Sequence, residues 1–198
     1  MKFLKQVQES LESLNGYRMP YAVQDFLVPS KNTDQLLIKE SSDEAEVLIC
    51  LQETRLEKLS KFHFPNDFHL DLLPDLGVVI EELSHFNTYC LSALQNREIS
   101  SLELEVQGEI DRFGVALDFL HQKNESDLRE QVFDLLFSDL QTGAWVKPED
   151  EERYRDAHRL AKNFCRSILE RRLEYPQMQQ EFRGFFLDSP SRKLAPKY

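Results

Sequence analysis

The sequence predicts a mainly α protein of the α+β class, a helical bundle of about four main helices with a small N-terminal β-hairpin. Glycine is scarce, at 6 of 198 residues, and a chain with few glycines favours long helices. From residue 52 onward, apolar residues recur three and four positions apart, which is the spacing of one face of a helix. Before residue 52, two short runs rich in Leu, Ile and Val indicate strands instead.

The N-terminal part is predicted to combine one short helix with the β element. Residues 2–14 carry apolar side chains at helical spacing, and Gly16 supplies the residue type that commonly follows a helix. Residues 35–39 and 45–51 are the strand candidates, and the polar ESSDE between them predicts a hairpin. Residues 22–28 are a candidate third strand. Because an isolated hairpin is only marginally stable, we expect this element to pack on the helices or on a partner.

Amphipathic patterns predict the helices of the bundle, which follow a short first helix, ETRLEKLSKF. They cover residues 75–97, 101–123, 125–140, 149–174 and 177–187. The side chains expected to be largely buried are Leu83, Phe86, Ile110, Phe113, Leu117, Leu160 and Phe164. We expect a single domain over residues 1–198, made of the N-terminal helix and β element (1–51), the helical bundle (52–188) and a loose polar tail (189–198).

The composition narrows the classes of function. A formal net charge of -11 argues against a nucleic-acid-binding protein, which needs a basic surface, and against binding to anionic membranes. The N-terminal MKFLKQVQES lacks the apolar region of a signal peptide, and no apolar run approaches the about 18 residues of a membrane-spanning helix. Cys50, Cys90 and Cys165 are widely spaced among apolar neighbours, so we interpret them as buried thiols. We therefore expect a cytoplasmic protein.

The most informative motif is Glu-Leu-Ser-His at residues 82–85, in the middle of a long amphipathic pattern. Glu82 and His85 are three residues apart and project from nearly the same face of a helix. That is half of a carboxylate-bridged metal centre built into a helical bundle. A complete centre of this kind needs a second Glu-x-x-His motif, which the chain lacks.

Two other predicted helices carry polar side chains that can join this motif. Glu105 and Glu109 lie one turn apart on the next helix, and Tyr154 and His158 lie one turn apart on the fourth. The candidate ligand-binding residues are Glu82, His85, Glu105, Glu109, Tyr154 and His158, and the candidate metal ligands among them are Glu82, His85 and Glu109. Imidazole and carboxylate groups suit iron, manganese or zinc.

Three interpretations of these residues stay open. The residues favour a solvated surface with ion pairs, because Glu, His and Arg at these spacings most often form one. The second interpretation is a metal-free polar pocket, and neither of these two needs a cofactor. The third is a site for a divalent metal ion. A weaker candidate for zinc consists of His63, Asp67 and His69 in an aromatic loop.

Three segments resemble an uncharacterised family of bacterial proteins with no assigned activity. They are VVIEELSHFNTYC, SLELEVQGEIDRF and ERYRDAHRLAKNFCRSIL. The resemblance covers roughly residues 40–185. It implies a bacterial cytoplasmic origin and carries no activity, substrate or site residue over to this chain.

The function predicted from the sequence is a non-enzymatic binding or protein-interaction domain for an unidentified protein or small-molecule partner, with the oligomeric state left open. The alternative is a metal-binding or metal-dependent helical-bundle enzyme that uses the Glu/His cluster. Convergence of Glu82, His85, Glu105 and Glu109 within about 5 Å favours the enzyme. A continuous exposed apolar patch favours the interaction domain.

Overall fold

The architecture is mainly α with a small β part, as the sequence predicts. The computed structural model describes residues 1–41, 44–138 and 148–195. It is 67% helical, with a three-stranded sheet near the N-terminus. The finer prediction of about four main helices is not confirmed, since the described residues contain eight α-helices, three of them longer than 20 residues.

The elements follow the predicted order along the chain. The helices are α1 (Lys2–Asn15), α2 (Glu53–Leu59), α3 (Leu73–Leu94), α4 (Ser101–Gln122), α5 (Arg129–Phe137), α6 (Pro148–Glu170), α7 (Tyr175–Leu187) and α8 (Pro190–Lys193). The strands are β1 (Leu27–Ser30), β2 (Gln35–Glu40) and β3 (Ala45–Gln52). Residues 139 and 140 of the predicted helix 125–140, and residues 196–198 of the predicted tail, lie outside the described residues.

Local sequence signals set several helix ends. α1 ends at Gly16, whose φ of 64° is left-handed and favours glycine. α4 begins after Ser100, whose Oγ accepts a hydrogen bond from the backbone N–H of Glu103. α7 begins with a capping box in which Glu174 and Gln177 each pair with the other's backbone. These caps fix where the long helices start and hence which of their residues face one another.

The sheet contains the predicted hairpin and one further strand. β2 pairs with β3 in antiparallel fashion, β1 pairs with β3 in parallel fashion, and the strand order is β1-β3-β2. The candidate strand at residues 22–28 is shifted along the chain, because a 3₁₀ helix occupies Val23–Phe26. Leu27 and Leu36 both lie opposite Ile49, and these three side chains pack on the protein core.

The sheet packs on α3 next to the C-terminal half of that helix. The ring of Phe26, just before β1, lies 4.8 Å from the ring of Phe86 between centroids. The hydroxyl of Tyr89 donates a hydrogen bond of 2.7 Å to the carboxylate of Glu40 at the end of β2. The β element therefore packs on the part of α3 that carries Phe86 and Tyr89.

α4 is the central helix of the bundle and contacts α1, α3, α5, α6 and α7. The predicted core residues on α3 and α4 are confirmed, since Leu83, Phe86, Ile110, Phe113 and Leu117 are at most 2% exposed. A helix surrounded in this way has little surface for water, so its polar side chains depend on protein partners.

The buried face of α6 differs from the predicted one. Leu160 and Phe164 were expected to be largely buried, but both are only half-buried. The fully buried residues of this helix include Ala157, Ala161 and Cys165. Small side chains line the contact because α6 packs closely against α4, and the larger Leu and Phe side chains lie at the border of that contact.

The tail predicted to be loose from residue 189 forms a short helix, α8, and buries a charged residue. The Nζ of Lys193 lies 3.3 Å from Oε1 of Glu103 and 3.4 Å from Oε1 of Gln107. The side chains of Lys193 and Glu103 are 2% and 1% exposed. Charge pairing therefore holds the C-terminal segment on α4, which a count of its polar residues does not predict.

The prediction that the three cysteines are buried thiols is confirmed by the structure. The thiols of Cys50, Cys90 and Cys165 are buried and unpaired, and burial raises the pKa of the Cys165 thiol well above its usual value. No helix in the described ranges has the length and apolar character needed to span a membrane.

Phe113→Ala should lower the free energy of unfolding by about 3–5 kcal/mol, because it opens a cavity in the core. Phe113 is fully buried, and its ring contacts Phe133, Phe137 and Phe182. Chemical denaturation measures the effect. The matched control is Leu135→Ala, since Leu135 is 58% exposed and its loss should change stability by less than about 0.5 kcal/mol. Equal effects of the two substitutions would contradict the packing described for α4.

Candidate functional site

The polar residues of α3 and α4 meet because the two helices pack side by side in opposite directions. His85 lies opposite Glu105 and Gly108, and Glu81 lies opposite Arg112. Gly108 makes this approach possible, because a Cβ at that position would lie 2.9 Å from Nε2 of His85 and 3.1 Å from Cγ of Glu81. A larger residue would push the imidazole ring out of the interface.

Three side chains converge closely enough to hold a metal ion. Glu81, His85 and Glu105 each offer one ligand atom, and these atoms all lie within 4.8 Å of one another. Among the residues that the structure describes, no other group of three or more His, Cys, Asp or Glu side chains meets this condition. The side chains are 24%, 12% and 12% exposed, so the group lies just below the surface.

This group differs from the metal ligands predicted from the sequence. His85 is common to both sets, and Glu81 and Glu105 take the positions predicted for Glu82 and Glu109. Glu81 is four residues before His85 and Glu82 is three residues before it, and both spacings place a side chain on the helix face of His85. The Glu-x-x-x-His spacing of Glu81 and His85 was therefore the signal that could have identified this ligand.

Each of these three side chains also lies close to a charged residue outside the group. Nδ1 of His85 lies 3.9 Å from Oε2 of Glu82, while Nε2 faces Glu105 at 3.9 Å. Oε1 of Glu105 lies 3.8 Å from Nη2 of Arg153, while its Oε2 faces His85. Oε2 of Glu81 lies 3.3 Å from Nη1 of Arg112. Such outer partners orient metal ligands and limit their movement.

α6 packs on the side of α4 that carries Glu105 and Glu109. It contributes Tyr154 and His158, the remaining candidate ligand-binding residues. Nδ1 of His158 lies 3.6 Å from Oε1 of Glu109, and the His158 ring lies 5.4 Å from the ring of Phe137 between centroids. Tyr154 interacts with Glu105, and burial together with that carboxylate raises the pKa of Tyr154 to about 12. All six candidate ligand-binding residues therefore lie where α3, α4 and α6 meet, which is called the three-helix junction.

The electrostatics of the cluster differ from those of exposed ion pairs. Burial alone would lower the pKa of His85, but the carboxylates of Glu82, Glu81 and Glu105 raise it to about 9. Burial raises the pKa of Glu81 to about 7 despite the opposing charge of Arg112. Burial also tends to raise the pKa of Glu109, yet His158 and Arg112 outweigh it and lower that pKa. The metal-free cluster therefore holds protons close to neutral pH.

Most of the buried polar atoms that lack a hydrogen-bond partner lie in this cluster. Within the described residues there are ten such side-chain atoms, and six of them belong to the three-helix junction. They are Glu82 Oε2, His85 Nε2, Glu109 Oε2, Arg112 Nε, Arg153 Nε and His158 Nδ1. Unsatisfied polar atoms are costly in a protein interior, so their concentration at one place makes this junction the candidate functional site.

Two other buried carboxylates on α4, those of Asp111 and Asp118, accept several hydrogen bonds, unlike the groups at the three-helix junction. Asp111 accepts hydrogen bonds from Oγ of Ser84 (2.6 Å) and Nε2 of Gln107 (2.9 Å). Asp118 accepts one from Nε2 of Gln122 (3.0 Å) and others from α1 and α7. The same helix thus has one polar row with complete hydrogen bonding and another, at residues 105, 109 and 112, without it.

The weaker zinc candidate in the aromatic loop does not converge. Oδ2 of Asp67 accepts a hydrogen bond from the backbone N–H of His63 at 2.7 Å. Nδ1 of His69 faces Asp71 instead, at 3.9 Å. Asp67 therefore serves the turn of the loop, and the prediction of a ligand set there is wrong for the described geometry.

In the metal-free protein, Glu82→Gln should lower the pKa of His85, because it removes a carboxylate next to the ring. The pKa of His85 is raised above its ordinary value of 6.5. Its stabilising contribution is therefore complete below pH 6.5 and lost as the pH rises towards about 9. An NMR titration of His85 measures the shift, and exposed Glu9→Gln on α1 is the control. An unchanged His85 titration in Glu82→Gln would contradict the described pairing.

Comparison of the chain with known proteins identifies no relative from which a function could be inferred. No protein-family model, curated protein or solved structure matches the chain. The resemblance to an uncharacterised bacterial family remains a prediction.

Proposed function

We propose that the chain binds one divalent transition-metal ion between α3 and α4, with Glu81, His85 and Glu105 as ligands. One imidazole and two carboxylates form a mixed nitrogen and oxygen set, which suits Zn²⁺, Mn²⁺ or Fe²⁺ better than Ca²⁺ or Cu⁺. The observation that carries the proposal is the convergence of the three ligand atoms within 4.8 Å. Metal–ligand bonds of about 2.0–2.2 Å require these atoms to close slightly around the ion.

The charge balance of the cluster supports an ion of charge +2. Four carboxylates meet at the junction, and Arg112 and Arg153 are the two permanent cations beside them. With the four carboxylates ionised and both histidines neutral, the side chains carry at least two net negative charges, because Arg153 also pairs with Asp150 at 2.8 Å. One divalent ion would offset two of these charges, which lowers the cost of burying unbalanced charge.

The number of ligands favours a reactive ion over a structural one. Structural zinc sites generally have four protein ligands, whereas catalytic sites keep three and leave a position for water or substrate. Three described ligands therefore support the metal-dependent helical-bundle enzyme. The bound ion would lower the pKa of a water molecule or polarise an oxygen of a substrate. Glu82 would hold the His85 ring with Nε2 towards the ion, because its carboxylate faces Nδ1.

Metal titration of the chelator-treated protein tests the proposal directly. We expect one Zn²⁺, Mn²⁺ or Fe²⁺ per chain, with a rise in melting temperature on binding. His85→Ala and Glu105→Gln should remove most of the affinity, since each deletes a ligand. Glu82→Gln should weaken binding by about 10–100-fold through loss of ring orientation. Calorimetry and elemental analysis measure both stoichiometry and affinity.

Glu57→Gln is the control for these variants, because Glu57 is exposed on α2 and lies outside the ligand group. It should bind metal as the wild type does. Absence of binding for all three ions, or an affinity that His85→Ala leaves unchanged, would reject the proposed site.

A second candidate function, the non-enzymatic interaction domain, is supported by one specific surface. The outer face of the sheet exposes Val28, Leu37 and Leu48, each about two-fifths exposed. Leu37 lies directly opposite Leu48 across β2 and β3. Apolar side chains that neighbour one another on an exposed sheet face are typical of a contact surface.

If this sheet face joins two copies of the chain, Leu48→Lys should abolish the association, because it places a charge in the contact. Sedimentation across a wide range of protein concentration measures the mass. The exposed Leu187→Lys on α7 is the matched control, since Leu187 lies far along the chain on another element. A wild type that stays monomeric throughout would count against self-association through the sheet.

A further inference from the structure

The ammonium group of Lys193 lies in a cage formed by α4 and α7. Its Nζ lies 3.3 Å from Oε1 of Glu103 and 3.4 Å from Oε1 of Gln107 on α4. The rings of Phe185 and Phe186 on α7 complete the cage, with centroids 5.8 Å and 5.5 Å from Nζ. All four cage residues are at most 6% exposed, so the ammonium is held in a site shielded from water.

The chemistry of this cage fits a primary alkylammonium ion. A carboxylate oxygen and an amide oxygen accept two of the three N–H bonds that such an ion offers. The faces of aromatic rings attract a cation that lies within about 6 Å of their centroids. Burial lowers the pKa of Lys193, although the carboxylate of Glu103 opposes that effect. The positive charge therefore depends on the cage rather than on water.

α8 is attached to the rest of the protein mainly through this ammonium. Among the residues that the structure describes, the other hydrogen bonds of α8 stay within residues 188–194. Leu194 is half-buried against the core, and Ser191 and Arg192 are exposed. A helix of four residues is too short to be stable alone. The position of α8 therefore depends on the occupant of the cage.

Release of Lys193 leaves Glu103 with a partner of opposite charge. Nη1 of Arg97 lies 2.8 Å from Oε2 of Glu103, the oxygen that Lys193 does not use. Removing the only partner of a buried charge is strongly destabilising, but this carboxylate keeps one cation after the ammonium leaves. An open state of α8 is therefore accessible, and in that state the cage is free for another ammonium ion.

We propose that the cage is a binding site for primary alkylammonium ions and that Lys193 is its tethered occupant, which closes α8 onto α4 as a C-terminal latch. A free alkylammonium ion competes with Lys193 for the cage and opens the latch, because the cage holds one ammonium group at a time. The inference is independent of the proposed metal site, since Glu103 and Gln107 are not among its ligands.

Propylammonium tests the cage in Lys193→Ala, because it replaces the three carbons and the nitrogen that the substitution removes. We expect binding in about the millimolar range, measured by NMR titration, with a rise in melting temperature. 1-Propanol has nearly the same size without the charge. It should bind about tenfold more weakly, since hydrogen bonds between ionised partners are stronger. Adding Glu103→Gln should weaken propylammonium binding by about tenfold for the same reason.

Lys162→Ala is the matched control for this experiment. Lys162 is half-buried on α6, and its ammonium donates to the backbone carbonyl of Phe137 at 2.7 Å rather than to a carboxylate. This variant should gain no affinity for propylammonium. A folded Lys193→Ala protein that does not bind propylammonium, or that binds 1-propanol equally well, would overturn the ammonium site.

Hydrogen exchange in the wild-type protein tests the latch. The backbone N–H groups of Lys193 and Leu194 donate to the carbonyls of Ser189 and Pro190 at 2.9 Å, so their exchange reports the opening of α8. A ligand that binds only the open state multiplies its population by 1 + [L]/Kd. Propylammonium at ten times its Kd should therefore speed this exchange about tenfold.

Sodium chloride at the same concentration is the control for ionic strength, and it should change the exchange rate far less than propylammonium does. Exchange that stays at the level of the salt control throughout a propylammonium titration would overturn the latch. This measurement needs no substitution, so it decides the question even if Lys193→Ala does not fold.

Discussion

The burial of α4 is the constraint on which the rest of the structure depends. Five helices contact it, so polar groups on several of its faces must be satisfied by protein atoms rather than by water. Two rows of such groups result. The row that includes Asp111 and Asp118 joins α1, α3 and α7 through hydrogen bonds, and the row at residues 105, 109 and 112 lies between α3 and α6.

The two rows differ in how completely their buried charges are hydrogen-bonded. A carboxylate such as Asp111, which accepts several short hydrogen bonds, contributes to one well-defined arrangement of helices. At the three-helix junction the charges are held near one another at 3.3 to 3.9 Å, mostly beyond direct hydrogen bonding. That spacing leaves room for a small cation. Under the proposed metal binding, the ion would offset the cost of keeping these groups incompletely paired.

The sequence predicted the location of this junction better than its detail. Helical periodicity was enough to place Glu82, His85, Glu105 and Glu109 on faces that meet, because helix spacing is regular. It could not choose between Glu81 and Glu82, which are adjacent and differ only by the rotation of α3 against α4. That rotation depends on Gly108, where the missing side chain admits the ring of His85. The sequence also missed Arg153, since its contact with Glu105 requires knowing how α6 crosses α4.

For the core as well, the sequence predicted the general location of the buried residues better than the details of their packing. Side chains central to a helix face, such as Phe113, were predicted correctly, whereas those at its border, such as Leu160, were not. Small residues such as Ala161 mark a close helix contact, but hydrophobicity alone ranks them below Leu and Phe. The predicted tail was judged by its polar composition, and no local pattern indicates that Lys193 pairs with a carboxylate 90 positions earlier.

The pairing of Lys193 with Glu103 has a consequence for how the chain folds during synthesis. Ribosomes release a protein from its N-terminus, so α4 emerges long before its cationic partner on α8. Until then, Glu103 has Arg97 beside it and one of its oxygens remains open to solvent or to chaperones. The native burial of this carboxylate therefore has to wait until α8 has been synthesised. Truncated products that end before α8 would leave Glu103, at the N-terminal end of the central helix, without its lysine partner.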